Sequence, residues 1–288
     1  MNPALAETKT HAFQIAWRDG TIRHRMKEAL RTGTFSKSLA LYNFFILKIE
    51  DVCRYPQDDD TIITELANYF AALSQQYPQL AASIKDKQAL RVSRRAIQVN
   101  RMLLNLPGAI PVARPWTYLD VGCGNGHVTA GVARALKMRP RYDDVIGLDV
   151  LPFPVPAGIT FTPYAAGDAF PLEKESIDLA TIFTVLHHAD DPVQLLQETR
   201  RVLRPGAVCL VREFHSPMSS DYFFNYAMDL LYTGVYNPGD MRPGEHYKAM
   251  STWHKLFIKA GFEVVHIRRL EETNPFKPFM ALLRKAGA

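Results

Sequence analysis

Along the first hundred residues apolar side chains recur every three or four positions. Tyr42, Phe45, Ile46, Ile49 and Cys53 share one helical face, and so do Ile62, Leu66, Tyr69, Phe70, Leu73 and Tyr77. That is the spacing of helices with one face on a core. Asp60 is the expected N-cap of the second run and Pro78 its stop. A further periodic stretch, 88–104, turns Val92, Ala96, Val99 and Leu103 one way and Arg91, Arg94, Arg95, Gln98 and Arg101 the other.

Beyond a proline-rich linker at 107–115 the period changes. Short apolar runs at 116–121, 144–150, 159–162, 177–183, 207–214, 262–270 and 277–283 predict strands. Helical runs at 127–137, 193–203, about 221–232 and 251–260 fall between them. Strands that alternate with helices imply a doubly wound α/β fold, here a mostly parallel seven-stranded sheet with helices on both faces. The expected organisation is a helical N-terminal extension or cap over 1–110. A sheet domain follows over 111–288, with an inserted segment at about 216–248.

Composition narrows the class without choosing a function. Hydrophobic residues make up 47% and charged residues 22% of the 288, the balance of a folded globular chain. A net charge of +5 permits an anionic partner, as it does for many enzymes with none. Cys53, Cys123 and Cys209 are widely spaced and odd in number, which predicts free thiols. The first residues lack an apolar signal core, and the greasy stretch 39–47 is too short to span a bilayer. A cytoplasmic protein is the expectation.

The informative segment is Tyr118-Leu119-Asp120-Val121-Gly122-Cys123-Gly124-Asn125-Gly126. A predicted strand runs into three alternate glycines and a helix begins at once. Glycine serves where the backbone turns at positive φ or where a ligand touches the main chain. The helix start offers N–H groups and a partial positive charge. A dinucleotide site wants G-x-G-x-x-G, whereas His127 stands where its third glycine belongs. A carboxylate at Asp120, just ahead of the turn, suits a ligand with an ammonium group better than a diphosphate.

This loop resembles motif I of the class I S-adenosylmethionine-dependent methyltransferases, nearest the group that includes ubiquinone-biosynthesis enzymes. Asp149 closes the second predicted strand, where that family holds the ribose hydroxyls. Gly167-Asp168-Ala169 resembles the segment that receives the adenine. Ile177-Asp178-Leu179-Ala180 leads into Thr184-Val185-Leu186-His187-His188, similar to the segment at the methyl end. Leu203-Arg204-Pro205-Gly206-Ala207 matches the turn into the fifth strand. The resemblance covers about 116–213. It implies a Rossmann-like fold, S-adenosylmethionine as cofactor, and a cofactor site of Asp120, Gly122, Cys123, Gly124, Gly126, Asp149, Val150, Asp168, Ala169, Thr184 and His187.

Methyl transfer to a hydroxyl or an acidic carbon also needs a base. His188, Glu213 and His215 follow the fourth and fifth strands, where ligands gather in such sheets. The bland alternatives stay open: His187 packed on backbone, and Glu213 paired with Arg212 or Arg242. Adjacent histidines seldom share one ion, so no metal is expected. Tyr232, Tyr236 and Tyr247 are candidate walls of a substrate pocket, while Phe223, Phe224 and Leu230 read as packing. Arg91, Arg94, Arg95 and Arg101, with Arg23, Arg25, Lys27 and Arg31, form either solvated helix faces or a phosphate track. A methyltransferase for a small or medium-sized organic acceptor is therefore weighed against an RNA (cap or tRNA) methyltransferase and a non-catalytic binding scaffold. A homodimer face is a further use of the N-terminal helices.

Overall fold

In a computed structural model the described residues are 12–32, 39–55, 58–76, 78, 88–104, 115–138, 144–236 and 244–286. The chain divides into two compact units. One holds residues 1–87, 215–249 and 273–277, and the other holds 88–214, 250–272 and 278–288. The units do not follow a linear split at the proline-rich linker. The helix at 88–104 belongs with the sheet, and the segment after the fifth strand belongs with the N-terminal helices.

The helical unit contains α1 (Ala12–Arg18), α2 (Thr21–Thr32), α3 (Leu39–Val52), α4 (Asp59–Gln76) and α8 (Ser219–Tyr236). Phe13, Ile22, Met26, Phe45, Ile49, Ile62, Leu66, Phe70 and Phe224 are fully buried in it. Asp58, not Asp60, caps α4, accepting from the backbone N–H and the hydroxyl of Thr61. Asp59 instead accepts from the Phe13 N–H across 46 positions. A buried ion cluster ties α2 to α8. Asp221 meets the Arg25 guanidinium and the Lys277 ammonium, each at 2.6 Å, while Arg25 also donates to the Pro275 carbonyl and lies over the Phe224 ring. The proposed phosphate track thus loses Arg25, which is bound inside the fold.

The second unit is a three-layer α/β/α sandwich. Its strands are β1 (Thr117–Val121), β2 (Asp144–Asp149), β3 (Thr160–Pro163), β4 (Ile177–Phe183), β5 (Leu203–Phe214), β6 (Phe262–Arg269) and β7 (Pro278–Lys285). They form one sheet in the order β3-β2-β1-β4-β5-β7-β6. The first five are parallel, and β7 runs antiparallel to β5 and β6. The sequence reversal between β1 and β4 makes the switch point at which such sheets bind ligands, outside the carboxyl ends of the strands.

Both faces are covered. α7 (Pro192–Val202) and α9 (Met250–Lys259) bring Leu196, Val202, Trp253 and Phe257 against Leu119, Val121, Ile182 and Val211. α5 (Gln88–Leu104) and α6 (His127–Ala135) bring Val99, Met102, Leu103 and Val132 against Tyr118, Val145, Leu179 and Phe183. Every residue of β4 is buried, as a central parallel strand requires. At its amino end Asp178 accepts from the Thr117 N–H and pairs with Arg204 at 2.5 Å. At α7, Asp191 caps the N-terminus by accepting from Val193 and Gln194. No helix among the described residues is long and apolar enough to cross a membrane.

Candidate functional site

The loop after β1 is built from backbone. Gly122, Gly124 and Gly126 have φ of +69°, +52° and +68°, the left-handed region that disfavours a side chain. Their surroundings differ. A Cβ on Gly122 would sit 2.2 Å from Val185 Cγ2, whereas a Cβ on Gly124 would meet nothing within 4 Å. Gly122 is there for packing; Gly124 leaves a hollow that a ligand can fill. The N–H groups of Gly122 and Cys123 donate to the Leu148 carbonyl at 2.7 and 3.1 Å, and that of Gly126 to the Cys123 carbonyl at 3.0 Å. The Cys123 side chain turns inward, above Gly147 of β2, and burial pushes its thiol far above the usual range.

Asp149 closes β2. Its carboxylate accepts from the Gly124 N–H at 2.7 Å and the Leu151 N–H at 3.1 Å, which aims it at the loop. Desolvation raises its pKa, against the hydrogen bonds that lower it. Each oxygen keeps a second lone pair for a further donor such as a ribose hydroxyl. Beside it lies a cleft of about 620 Å³, its open mouth included, lined by Val150, Tyr164, Asp168, Phe170, His188 and Leu195 among others. Val150 is 46% exposed there. Asp168 lines the cleft and Ala169 follows it, exposed.

Asp120, expected to meet a ligand's ammonium, is instead buried beneath the loop, each oxygen accepting one hydroxyl bond. Thr181 of β4 donates to one and Thr129 of α6 to the other, each at 2.6 Å, and Tyr118 stands 2.7 Å behind Thr181. Burial raises its pKa to about 6, with the two hydroxyls opposing. The carboxylate pins β1, β4 and α6 together just under the glycines.

The ends of β4 and β5 are built from side chains. Thr184 follows β4 at φ +59°, a conformation rare for a β-branched residue. Its N–H donates to the Arg212 carbonyl at 2.8 Å and its hydroxyl to the Phe183 carbonyl. The chain then turns so that His187 faces Glu213 of β5, with Nδ1 and Oε2 2.7 Å apart and both side chains 1% exposed. Glu213 therefore pairs with His187 rather than Arg212, and Arg242 lies outside the described residues. Such a carboxylate orients the imidazole. The His188 ring lies 4.2 Å from that of His187 and borders the cleft.

The remaining base and pocket candidates belong to the helical unit. His215 belongs to the helical unit, where its N–H donates to the Lys277 carbonyl. Tyr247 is buried there against Tyr222 and Tyr226. The side chains of Tyr232 and Tyr236 lie outside the described residues. Phe224 and Leu230 are core, as expected, and Phe223 packs edge-on against Phe13. In α5, Arg94 is exposed but Arg95 is half-buried, its guanidinium 5.9 Å from the Phe183 ring. A solvated arginine strip is therefore only part of that helix face.

Residues 67–267 match a family model described as a methyltransferase domain. The chain is 32% identical to a methyltransferase of Mycobacterium leprae across 39% of its own length and 42% of that protein. It therefore spans well under half of that relative. It is 25% identical to a ubiquinone/menaquinone biosynthesis C-methyltransferase of Geobacter sulfurreducens, over 64% of this chain and 70% of that one. Its fold is that of the solved citrinin polyketide synthase CMeT domain, with a TM-score of 0.52 and 12% identity over 81% of this chain and 71% of that one.

Proposed function

The chain belongs to the methyltransferase-domain family, with the class I S-adenosylmethionine-dependent fold, and from that premise we propose that it methylates a small or medium-sized organic acceptor at an acidic carbon or a hydroxyl. The carrying observation is the buried His187–Glu213 pair at the ends of adjacent strands. An imidazole backed by a carboxylate is suited to removing a proton, which an acidic carbon or a hydroxyl requires and a free amine does not. Relatives named for O- and C-methylation in ubiquinone biosynthesis support this acceptor class.

The residues present fit the methyl donor. Asp149 would hold the ribose hydroxyls, Val150 and Asp168 the adenine, and the hollow at Gly124 the tail. When bound, S-adenosylmethionine supplies an electrophilic methyl on a cationic sulfur. Glu213 fixes the ring orientation of His187, and His187 accepts the acceptor's proton. His188 acts as a wall of the cleft rather than as the base.

The test is incubation of the chain with methyl-labelled S-adenosylmethionine and, separately, a small-metabolite extract and total RNA. Label in an extractable small molecule is the expected result. Label in RNA instead would overturn the acceptor class, and donor binding without any transfer would return the chain to a scaffold.

A further inference from the structure

A base that takes a proton from the acceptor must lose it before the next cycle. The acceptor's electron pair makes the new bond to the methyl carbon, the carbon–sulfur bond breaks with its pair kept on sulfur, and the proton stays on the imidazole. With Nδ1 of His187 engaged by Glu213, the proton rests on Nε2. Yet the His187 side chain is 1% exposed, so bulk water does not reach it freely.

The neighbours of the ring narrow the way out. Glu213 is equally buried, and its Oε1 has no hydrogen-bond partner among the described residues, so no relay starts there. Phe214, 5.4 Å away between ring centres, cannot carry a proton. His188 is the third neighbour. Its ring centre lies 4.2 Å from that of His187, and a nitrogen of each ring lies within 4.8 Å of the other, a span that one bridging water closes. A tight turn sets it there, the His188 N–H donating to the Val185 carbonyl at 2.9 Å. His188 is half-buried where His187 is sealed, and it lines the open cleft together with Asp168 and Asp190, both exposed. Those carboxylates draw a positive charge toward the mouth.

We infer that His188 is the proton exit for His187, a role that rests on the base reading above. Nε2 of His187 gives the proton to a ring nitrogen of His188, directly or through the bridging water, and His188 gives it to water in the cleft. Both rings end the cycle neutral, and nothing is oxidised or reduced. The nucleoside shares this cleft, so the route clears as the spent donor leaves.

Transfer of label from S-adenosylmethionine to a small-metabolite extract tests this in two regimes. In one the chain exceeds the donor, so that each site turns over once; in the other the donor is in large excess. His188→Gln should lose about tenfold or more in repeated turnover beyond whatever it loses in the single one. Free imidazole in the buffer should close that gap, and His188→Asn serves as the test variant should His188→Gln not fold. Equal losses in both regimes, or a gap that imidazole leaves unchanged, overturn the inference and leave His187 standing as the base. Undiminished single turnover by His187→Gln, or no transfer by the wild-type chain, overturns the base reading and the inference with it.

Discussion

The ends of β1 and β2 and the ends of β4 and β5 lie side by side on one sheet but are built by different means. At the first pair the working atoms are backbone, with positive-φ glycines and amide donors arranged around one carboxylate, Asp149. At the second they are side chains, His187 and Glu213, brought together across 26 positions. The difference follows from the proposed tasks. An invariant ligand can be met by main-chain groups whose placement depends only on local turns. Proton transfer needs a titratable side chain at a defined distance, and that requires two strands in register.

The sharpest way to break this division is Glu213→Gln. If the two ends act independently, turnover falls by about 10²- to 10⁴-fold, because the base His187 loses the carboxylate that orients it, while calorimetry shows the affinity for S-adenosylhomocysteine unchanged. A parallel loss of affinity would merge the two regions into one.

Within the glycine loop, Gly122→Ala and Gly124→Ala separate packing from ligand contact. Gly122→Ala should cost about 1–2 kcal/mol for the left-handed backbone and a further ~1–3 kcal/mol for overpacking against Val185. Gly124→Ala should lose only the backbone part in urea denaturation, yet weaken S-adenosylhomocysteine. Equal stabilities would contradict the difference in their surroundings.

Asp120 makes the first region pH-dependent. Its folded pKa of about 6 lies above the ordinary carboxylate value of 3.8, because burial disfavours the charge. The folded state therefore holds this proton more tightly than the unfolded one, and the stability gained from it is lost as pH rises through about 6. Asp120→Asn cannot ionise, so its stability relative to wild type should improve by up to about 3 kcal/mol between pH 4 and pH 7. A difference that stays flat across that range would show that Thr129 and Thr181 hold the carboxylate charged throughout.

The smallest effect expected is for Asp149→Asn. Losing charged acceptors for the ribose should raise the Kd for S-adenosylhomocysteine about tenfold to a hundredfold, with turnover at saturating donor nearly preserved.

Much of the molecule was legible in the order of its residues. The seven strands and the helices between them follow from apolar runs and turn residues, since a buried parallel strand must be continuously apolar and each crossover must carry a helix. Gly122, Gly124, Gly126 and Asp149 were legible too, because positive φ and strand-end placement are properties of short segments. Tertiary structure alone decided the rest. It put Asp120 under the loop instead of in the site and set His187 rather than His188 against Glu213. It gave Arg25 to Asp221 and laid Arg95 over Phe183. Charged side chains are long and find partners far along the chain, and which partner is in reach depends on register and helix packing that no local pattern records.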